Sequence, residues 1–440
     1  MNKRLKQSIL LIGDLATLHL SLWIALVLRS LETPVTSAWQ SHWLYFAPLF
    51  IIWLIILYIG GAYKLNLSYD KRRFKLMTIN AVTSATLVSV IYFYLNQSEI
   101  TPKTILLIFV LVFTGGFLLW RSIFNFFIKS YLPKNNIAFI GWNKTIEALL
   151  SDVKNQLHHG FNTALVFKTS EDINNLVQIV KEKNINTIII SNELISDAKL
   201  SEALFDCLPF NVVFYTQSDF YENINGKVPL ESINQNWFIS NLNEGNKRFF
   251  NILKRLIDLI LSLVLLIISL PFWPIIALAI KLDSKGPIFF KQQRVGLNET
   301  IFTMLKFRTM KTTGNDGSMT QEKDKRITKL GNFLRKTRLD EIPQVINILH
   351  GEMSFIGPRP ERPEYVSELA AQIPFYKTRL LIKPGISGWD QISGIYHSPS
   401  LEDTTEKLQY DLYYLKHRSI YFDLGIFLKT VATVLGRGGR

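Results

Sequence analysis

Four apolar stretches dominate the first third of the chain, at roughly residues 9–28, 44–59, 79–95 and 105–120 of 440. Each approaches the ~20 residues that an α-helix needs to cross the hydrocarbon core of a bilayer. In that medium the backbone must satisfy its own hydrogen bonds, so stretches of this length are restricted to helices. The first is too long for a signal peptide and lacks a small-residue cleavage site, so it reads as an anchor. Lys3, Arg4 and Lys6 precede the first stretch. Lys64, Lys71, Arg72, Arg73 and Lys75 separate the second from the third, and Arg121, Lys129 and Lys134 follow the fourth. The alternate loops, 29–43 and 96–104, are poor in basic residues. The positive-inside rule therefore places both ends of a four-helix bundle, residues 1–134, in the cytoplasm. Asp14 and His19 lie near the cytoplasmic end of the first stretch, where snorkelling makes ionisable groups inexpensive, and both are read as structural.

Composition supports a membrane protein: 48% of residues are hydrophobic and 19% charged, with a positive mean hydropathy of +0.17. A net charge of +14 in a soluble chain would point to nucleic acid. Here membrane-facing loops and a phosphorylated substrate account for it, and no nucleic-acid partner is implied. The single cysteine, Cys207, excludes an intramolecular disulfide framework and a multi-thiolate zinc site. The adjacent pair His158-His159 lacks metalloprotease spacing.

From Asn136 the pattern alternates between strand and helix. Residues 137–140, 164–167, 187–190 and 212–215 read as strands; 144–156, 174–183 and 200–207 read as helices. That order predicts a parallel sheet with crossover helices over 135–245, a small Rossmann-like domain. It is degenerate, because Gly141-Trp142-Asn143 offers one glycine where a dinucleotide fingerprint needs three, and Trp142 would block the approach of a pyrophosphate. Residues 217–245, rich in Asn and Gly, read as a connector.

A fifth apolar stretch, 256–282, carries Pro271 and Pro274 at its middle and basic residues at both ends: Lys254 and Arg255 before, Lys281, Lys285 and Lys291 after. A proline-kinked span and a hairpin that enters and leaves one leaflet both fit. Further on, Ile342, Val345, Ile346 and Leu349 recur at helical spacing, predicting a helix buried on that face, with Pro343 in its first turn. Asp340 can cap this helix, with Glu341 beside it. Arg335, Lys336 and Arg338 lie just before, so both carboxylates are expected to have depressed pKa values, suited to a nucleophile or a divalent-metal ligand. A plain N-cap is the alternative. Lys306 and Arg308 are expected on one strand face, as a cationic pair for phosphate oxygens.

The order of motifs closely resembles the bacterial sugar transferase family of monotopic phosphoglycosyl transferases. It comprises Lys254-Arg255 through Asp258 into the proline-broken helix, Gln293-Arg294-Val295-Gly296, Lys306-Phe307-Arg308-Thr309-Met310, Leu339-Asp340-Glu341-Ile342-Pro343-Gln344, Gly351-Glu352-Met353-Ser354-Phe355-Ile356-Gly357-Pro358-Arg359-Pro360 and Lys383-Pro384-Gly385-Ile386-Ser387-Gly388-Trp389. The resemblance covers the segment from about Lys254 to the C-terminus, within a catalytic domain expected over 246–440, and the preceding architecture is similar to the large form of the family. It implies a membrane α plus α/β protein: four transmembrane helices, a degenerate Rossmann-like domain thought to support a homodimer, and an α/β catalytic domain anchored by a re-entrant helix, 252–282. It further implies a bacterial inner-membrane protein with its catalytic domain on the cytoplasmic face. The implied reaction moves a sugar-1-phosphate from a UDP-sugar to undecaprenyl phosphate, with Asp340 as nucleophile, Mg²⁺ held by Glu341 and Asp340, and release of UMP. Candidates for the phosphate clamp are Arg294, Lys306, Arg308 and Arg338; Arg359, stiffened between two prolines, could orient a phosphate or lipid headgroup. Asp390 inside the Gly-Trp-x-Gln turn, Ile395 where N-acetyl-sugar enzymes often carry arginine, and the added loop Tyr396-His397-Ser398-Pro399 depart from the family pattern and leave the sugar open. Two other readings are a membrane-anchored nucleotide-sugar dehydratase, which the missing glycine fingerprint disfavours, and a non-enzymatic membrane scaffold, which the intact Asp-Glu pair disfavours.

Overall fold

The computed structural model describes residues 3–32, 34, 36–63, 71–95, 103–131, 135–155, 161–168, 175–242, 247–311, 324, 326–393 and 400–435. Lys64, Lys134, the His158-His159 pair, Ile395 and Tyr396–Pro399 lie outside them. The chain divides into two compact units, Met1–Tyr215 and Thr216–Arg440.

The first unit opens with α1 (Lys3–Ser30), α2 (Thr36–Gly60), α3 (Lys71–Leu95) and α4 (Lys103–Tyr131). All four are long and apolar enough to cross a membrane. Phe46, Trp53, Phe109, Phe113 and Phe117 fill the space between them, and the Trp53 indole donates to Ser89 Oγ at 2.9 Å. Asp14 is structural in a more definite way than its position suggested. Arg121 of α4 donates to it at 2.6 Å, and both side chains are buried, so an ion pair locks α1 to α4. His19 bonds the Leu15 carbonyl oxygen at 2.9 Å and is half-buried, its ring edge-on to Phe50.

There follow β1 (Asn135–Ile140), α5 (Lys144–Asn155), β2 (Phe161–Phe167), α6 (Leu176–Glu182), β3 (Ile185–Ile190), α7 (Ala198–Phe205) and β4 (Val213–Thr216). The strand order is β2-β1-β3-β4, with β1 parallel to both neighbours, the parallel α/β sheet that the alternation predicts. Gly141 has a structural reason: its φ is +97°, and a Cβ there would come within 2.5 Å of Ser191. Asn143 next to it caps α5, accepting from the Ile146 amide at 3.0 Å.

The second unit begins inside the expected connector. α8 (Gln217–Asn225) and α9 (Gln235–Asn241) belong to the same core as the C-terminal helices, with Val228, Ile233, Trp237 and Phe238 packed among Leu412, Tyr414 and Leu415. Asn-rich sequence hid this because its apolar residues are few, although most of them, Ile239 excepted, point inward. Next come α10 (Arg248–Ser269) and α11 (Trp273–Asp283), separated by a 3₁₀ turn at Leu270–Phe272. The break falls where Pro271 and Pro274 remove helix donors. An antiparallel hairpin of β5 (Phe289–Val295) and β6 (Ile301–Phe307) follows. The unit closes with α12 (Lys329–Lys336), α13 (Gln344–His350), β7 (Ser354–Ile356), α14 (Pro363–Gln372), β8 (Gly385–Ser387), α15 (Trp389–Ile392), α16 (Leu401–His417) and α17 (Ile420–Leu435). β7 and β8 pair in parallel. Where β8 begins, the chain leaving β7 touches it: a Cβ on Gly385 would sit 2.1 Å from the Gly357 nitrogen. That close approach carries Pro358–Pro360 to the site.

Candidate active site

Leu339–Glu341 form a 3₁₀ turn between α12 and α13, entered through Arg338 in the left-handed region at φ 57°. Asp340 does not cap α13. Pro343 occupies the cap position and no side chain bonds the helix N-terminus, because the turn directs Asp340 inward, where it is 7% exposed. The predicted buried face of α13 is also displaced. Gln344, Val345, Asn347 and Ile348 are buried, while Ile342, Ile346 and Leu349 are partly exposed.

Asn347 explains the displacement. Its side chain accepts from the Leu305 amide at 3.1 Å and donates to the Thr303 carbonyl oxygen at 2.7 Å. A buried amide thus completes the edge of β6 as another strand would, and holds Lys306 over the start of α13. Three cations then converge on a single oxygen, Glu341 Oε1: Lys306 Nζ at 3.0 Å, an Arg359 nitrogen at 3.4 Å and an Arg338 nitrogen at 3.7 Å. Burial by itself would raise the Glu341 pKa, but Lys306, Arg359 and Arg338 together bring it down to about 2. Asp340 behaves in the opposite way. Burial and the neighbouring Glu341 charge raise its pKa against the pull of Lys306, Arg335 and Arg338. The sequence expectation of two depressed carboxylates therefore holds for Glu341 and fails for Asp340, whose Oδ1 is buried without a hydrogen-bond partner.

The other clamp candidates separate by position. Arg294 donates to the Pro360 carbonyl oxygen at 2.8 Å and lies 3.6 Å from Glu361. It shares a small recess with Lys306, Gln344, Arg359 and Gly385. Arg308 turns away from the dyad: its guanidinium donates to the carbonyl oxygens of Ser284 and Ile280 at 2.6 and 3.3 Å, closing the C-terminus of α11. It follows β6 rather than lying in it, so strand alternation does not carry it to the Lys306 face.

A profile of the bacterial sugar transferase family matches residues 249–437. The UDP-glucose:undecaprenyl-phosphate glucose-1-phosphate transferase of Klebsiella pneumoniae is 31% identical over 362 residues, 76% of this chain and 76% of its own length. The chain belongs to the bacterial sugar transferase family. The Escherichia coli K12 relative of the same name is 33% identical over 320 residues, 68% of this chain and 67% of its own length. The UDP-N-acetylgalactosamine-undecaprenyl-phosphate N-acetylgalactosaminephosphotransferase of Aeromonas hydrophila is 35% identical over 237 residues, 53% of this chain. The chain spans 55% of that relative's length and 56% of the Xanthomonas campestris glucose-1-phosphate transferase.

Three further residues act behind the dyad: Arg335 and Asp390, which the sequence reading named, and Arg379, which it did not. Arg335 donates to Thr309 Oγ1 at 2.9 Å and contributes to the field on Asp340. Arg379 donates to Asp411 at 2.9 Å, to Tyr376 at 2.9 Å and to the Arg359 carbonyl oxygen at 2.9 Å. Asp390 is buried in the same region and its field reaches Arg359 and Arg379. The one signal for Arg379 was Asp411, a lone charge within the apolar and aromatic run Tyr410–Leu415, but nothing local joined residues 32 apart. Among the described residues no cluster of three metal-ligating side chains occurs. Mg²⁺ does not require one, since it is commonly held by one or two carboxylates, waters and substrate phosphates. The unpartnered Asp340 Oδ1 beside Glu341 fits such an ion.

Proposed function

We propose that this membrane protein transfers a sugar-1-phosphate from a UDP-sugar to undecaprenyl phosphate and so begins a lipid-linked polysaccharide. The observation that carries the reading is the buried, unpartnered Asp340 Oδ1 beside a carboxylate held ionised by three cations. A carboxylate raised in pKa is the more basic and better nucleophile, while its neighbour stays charged at every working pH. Asp340 attacks the sugar-linked phosphorus; the bond to the bridging oxygen breaks and its electron pair leaves with UMP. An oxygen of undecaprenyl phosphate then attacks the phosphosugar–aspartyl phosphorus and restores the Asp340 carboxylate. Lys306, Arg338 and Arg359 stand where charge develops on the transferred phosphoryl group. Arg294 keeps the Pro360 backbone, and with it Arg359, in place. Mg²⁺ held by Glu341 and Asp340 would supply charge neutralisation for the pyrophosphate.

The second element of the proposal is a re-entrant anchor facing the cytoplasm. Arg255, at the start of the third turn of α10, donates to the Ile348 and Leu349 carbonyl oxygens at 2.6 and 2.8 Å. Trp273 and Ile276 of α11 pack with Phe307 and Leu334, and Arg308 holds its last turn. A segment fastened to one catalytic unit at both ends enters and leaves on the same side. That geometry suits a reaction between a soluble donor and an interfacial phosphate.

The test is UMP release by nanodisc-embedded protein with Mg²⁺, undecaprenyl phosphate and a panel of UDP-sugars. Release with one donor, abolished by EDTA and in Asp340→Asn and Glu341→Gln, supports the reading and names the sugar. Turnover persisting in Asp340→Asn refutes the nucleophile.

A further inference from the structure

At the far end of α13 from the dyad, two cations meet over a glycine. Gly351 ends the helix at φ +85°, and a Cβ placed on it would lie 3.5 Å from both an Arg255 nitrogen and Lys383 Nζ. Arg255 is immobilised there by its bonds to the Ile348 and Leu349 carbonyl oxygens. Lys383 is half-buried. Among the described residues no carboxylate lies within ion-pair distance of either cation. The nearest acidic influence, Asp258, has Oδ1 engaged by the Phe355 amide at 3.2 Å. Like charges held this close without an anion between them repel. Part of that repulsion is offset by the negative end of α13, but Arg255 already occupies its last carbonyls.

The surroundings are apolar and open. Phe249, Ile252 and Leu256 on the first turns of α10 are 78%, 70% and 52% exposed, and Tyr421 and Leu424 of α17 are 68% and 53% exposed. α17 is tied to the same turns by Lys254 and Asp423 at 2.5 Å. We infer that Arg255 and Lys383 at Gly351 form a binding site for the phosphate of an anionic phospholipid, which seats the catalytic unit on the bilayer. It is distinct from the transfer site, since the seven residues of α13 put it about 10 Å along the helix from the dyad turn. Lys383 supplies a compact charge that reaches a headgroup, and Arg255 a fixed one. The inference rests on the membrane-anchored reading but not on the chemistry at Asp340.

The experiment is amine footprinting of the full-length protein in nanodiscs, without donor or acceptor. Lysines are acylated at pH 8 and the rate at Lys383 is read by peptide mass spectrometry, with exposed Lys199 as reference. Discs contain phosphatidylcholine alone or with phosphatidylglycerol, and a third series adds inorganic phosphate to the phosphatidylcholine discs. Slower acylation of Lys383, by several-fold, in phosphatidylglycerol discs alone is the expected result, with Lys199 unchanged. Equal rates in both lipids, or protection by inorganic phosphate without an effect of phosphatidylglycerol, overturn the assignment. As a second measurement, Lys383→Gln should weaken phosphatidylglycerol retention in native mass spectrometry about fivefold, the ratio for one basic residue at an anionic surface. Unchanged retention also overturns it. Neither readout involves UMP release, so failure here leaves the transfer reaction untouched.

Discussion

The two carboxylates of the dyad contribute to folding with opposite signs, and replacing each by its amide exposes the difference. Glu341 is held at about 2 against an ordinary 4.5, which corresponds to about 3 kcal/mol of stability at neutral pH. This is an upper bound, because burial pushes the pKa of its partner Lys306 down and takes part of the gain back. A folded pKa below the unfolded one stabilises above about pH 4.5 and is lost as the pH falls toward 2. Asp340 is raised, so its charge opposes folding at neutral pH, and that burden is relieved as the pH falls through its folded pKa. Glu341→Gln should therefore lower the thermal midpoint of the catalytic unit by roughly 5–10 °C at pH 7.5, on the scaling for domains of about 200 residues. Asp340→Asn should raise the midpoint. Thermal unfolding of the nanodisc-embedded protein, followed by tryptophan fluorescence at pH 7.5 and pH 5, measures both. As the pH falls, the gain of Asp340→Asn shrinks while the loss in Glu341→Gln persists. A Glu341→Gln midpoint at or above wild type, or an Asp340→Asn midpoint below it, would refute the assignment of charges.

Three further outcomes follow from the same geometry. The acid limb of the kcat/KM profile for UMP release should fall above the ordinary aspartate value of 3.8, because Asp340 must lose its proton. Any residual activity of Glu341→Gln, which removes the charge that raises Asp340, should show that limb moved to lower pH. Arg308→Ala should destabilise the catalytic unit by about 1–3 kcal/mol by taking the guanidinium donor from the Ser284 carbonyl while KM for the donor stays within twofold; a tenfold rise in KM would restore Arg308 to the phosphate clamp. Arg379→Met alone should lose about 3–5 kcal/mol through the stranded Asp411, and Arg379→Met with Asp411→Leu should recover much of it, as chemical unfolding of the two variants would show. Because Arg379 also holds the Arg359 carbonyl, the double variant should regain stability without regaining kcat, and recovery of both would make the pair purely structural.

The membrane helices, the parallel sheet, the proline break and the Asp340-Glu341 pair were all legible in the chain. Apolar runs of bilayer length, alternating strand and helix periods and proline chemistry are local properties. They survive in whatever fold the chain adopts, because they are set by residues within one or two turns of each other. The roles of individual charges were not legible in that way. Nothing near Asp14 names Arg121 as its partner, 107 positions away, and nothing near Lys306 says that it reaches Glu341 while Arg308, two residues on, closes a helix instead. Asn347, which nothing in the sequence singled out, proved to be the bond that joins that helix to β6. The pKa of a carboxylate depends on burial and on every charge within several ångströms, so Asp340 and Glu341, neighbours in sequence under the same run of cations, are driven apart by residues from β6 and the Pro358–Pro360 loop. The sequence by itself determined what the elements are and which chemistry was present. Only the tertiary structure decided which cation meets which carboxylate, because electrostatic partnership is a matter of distance in space.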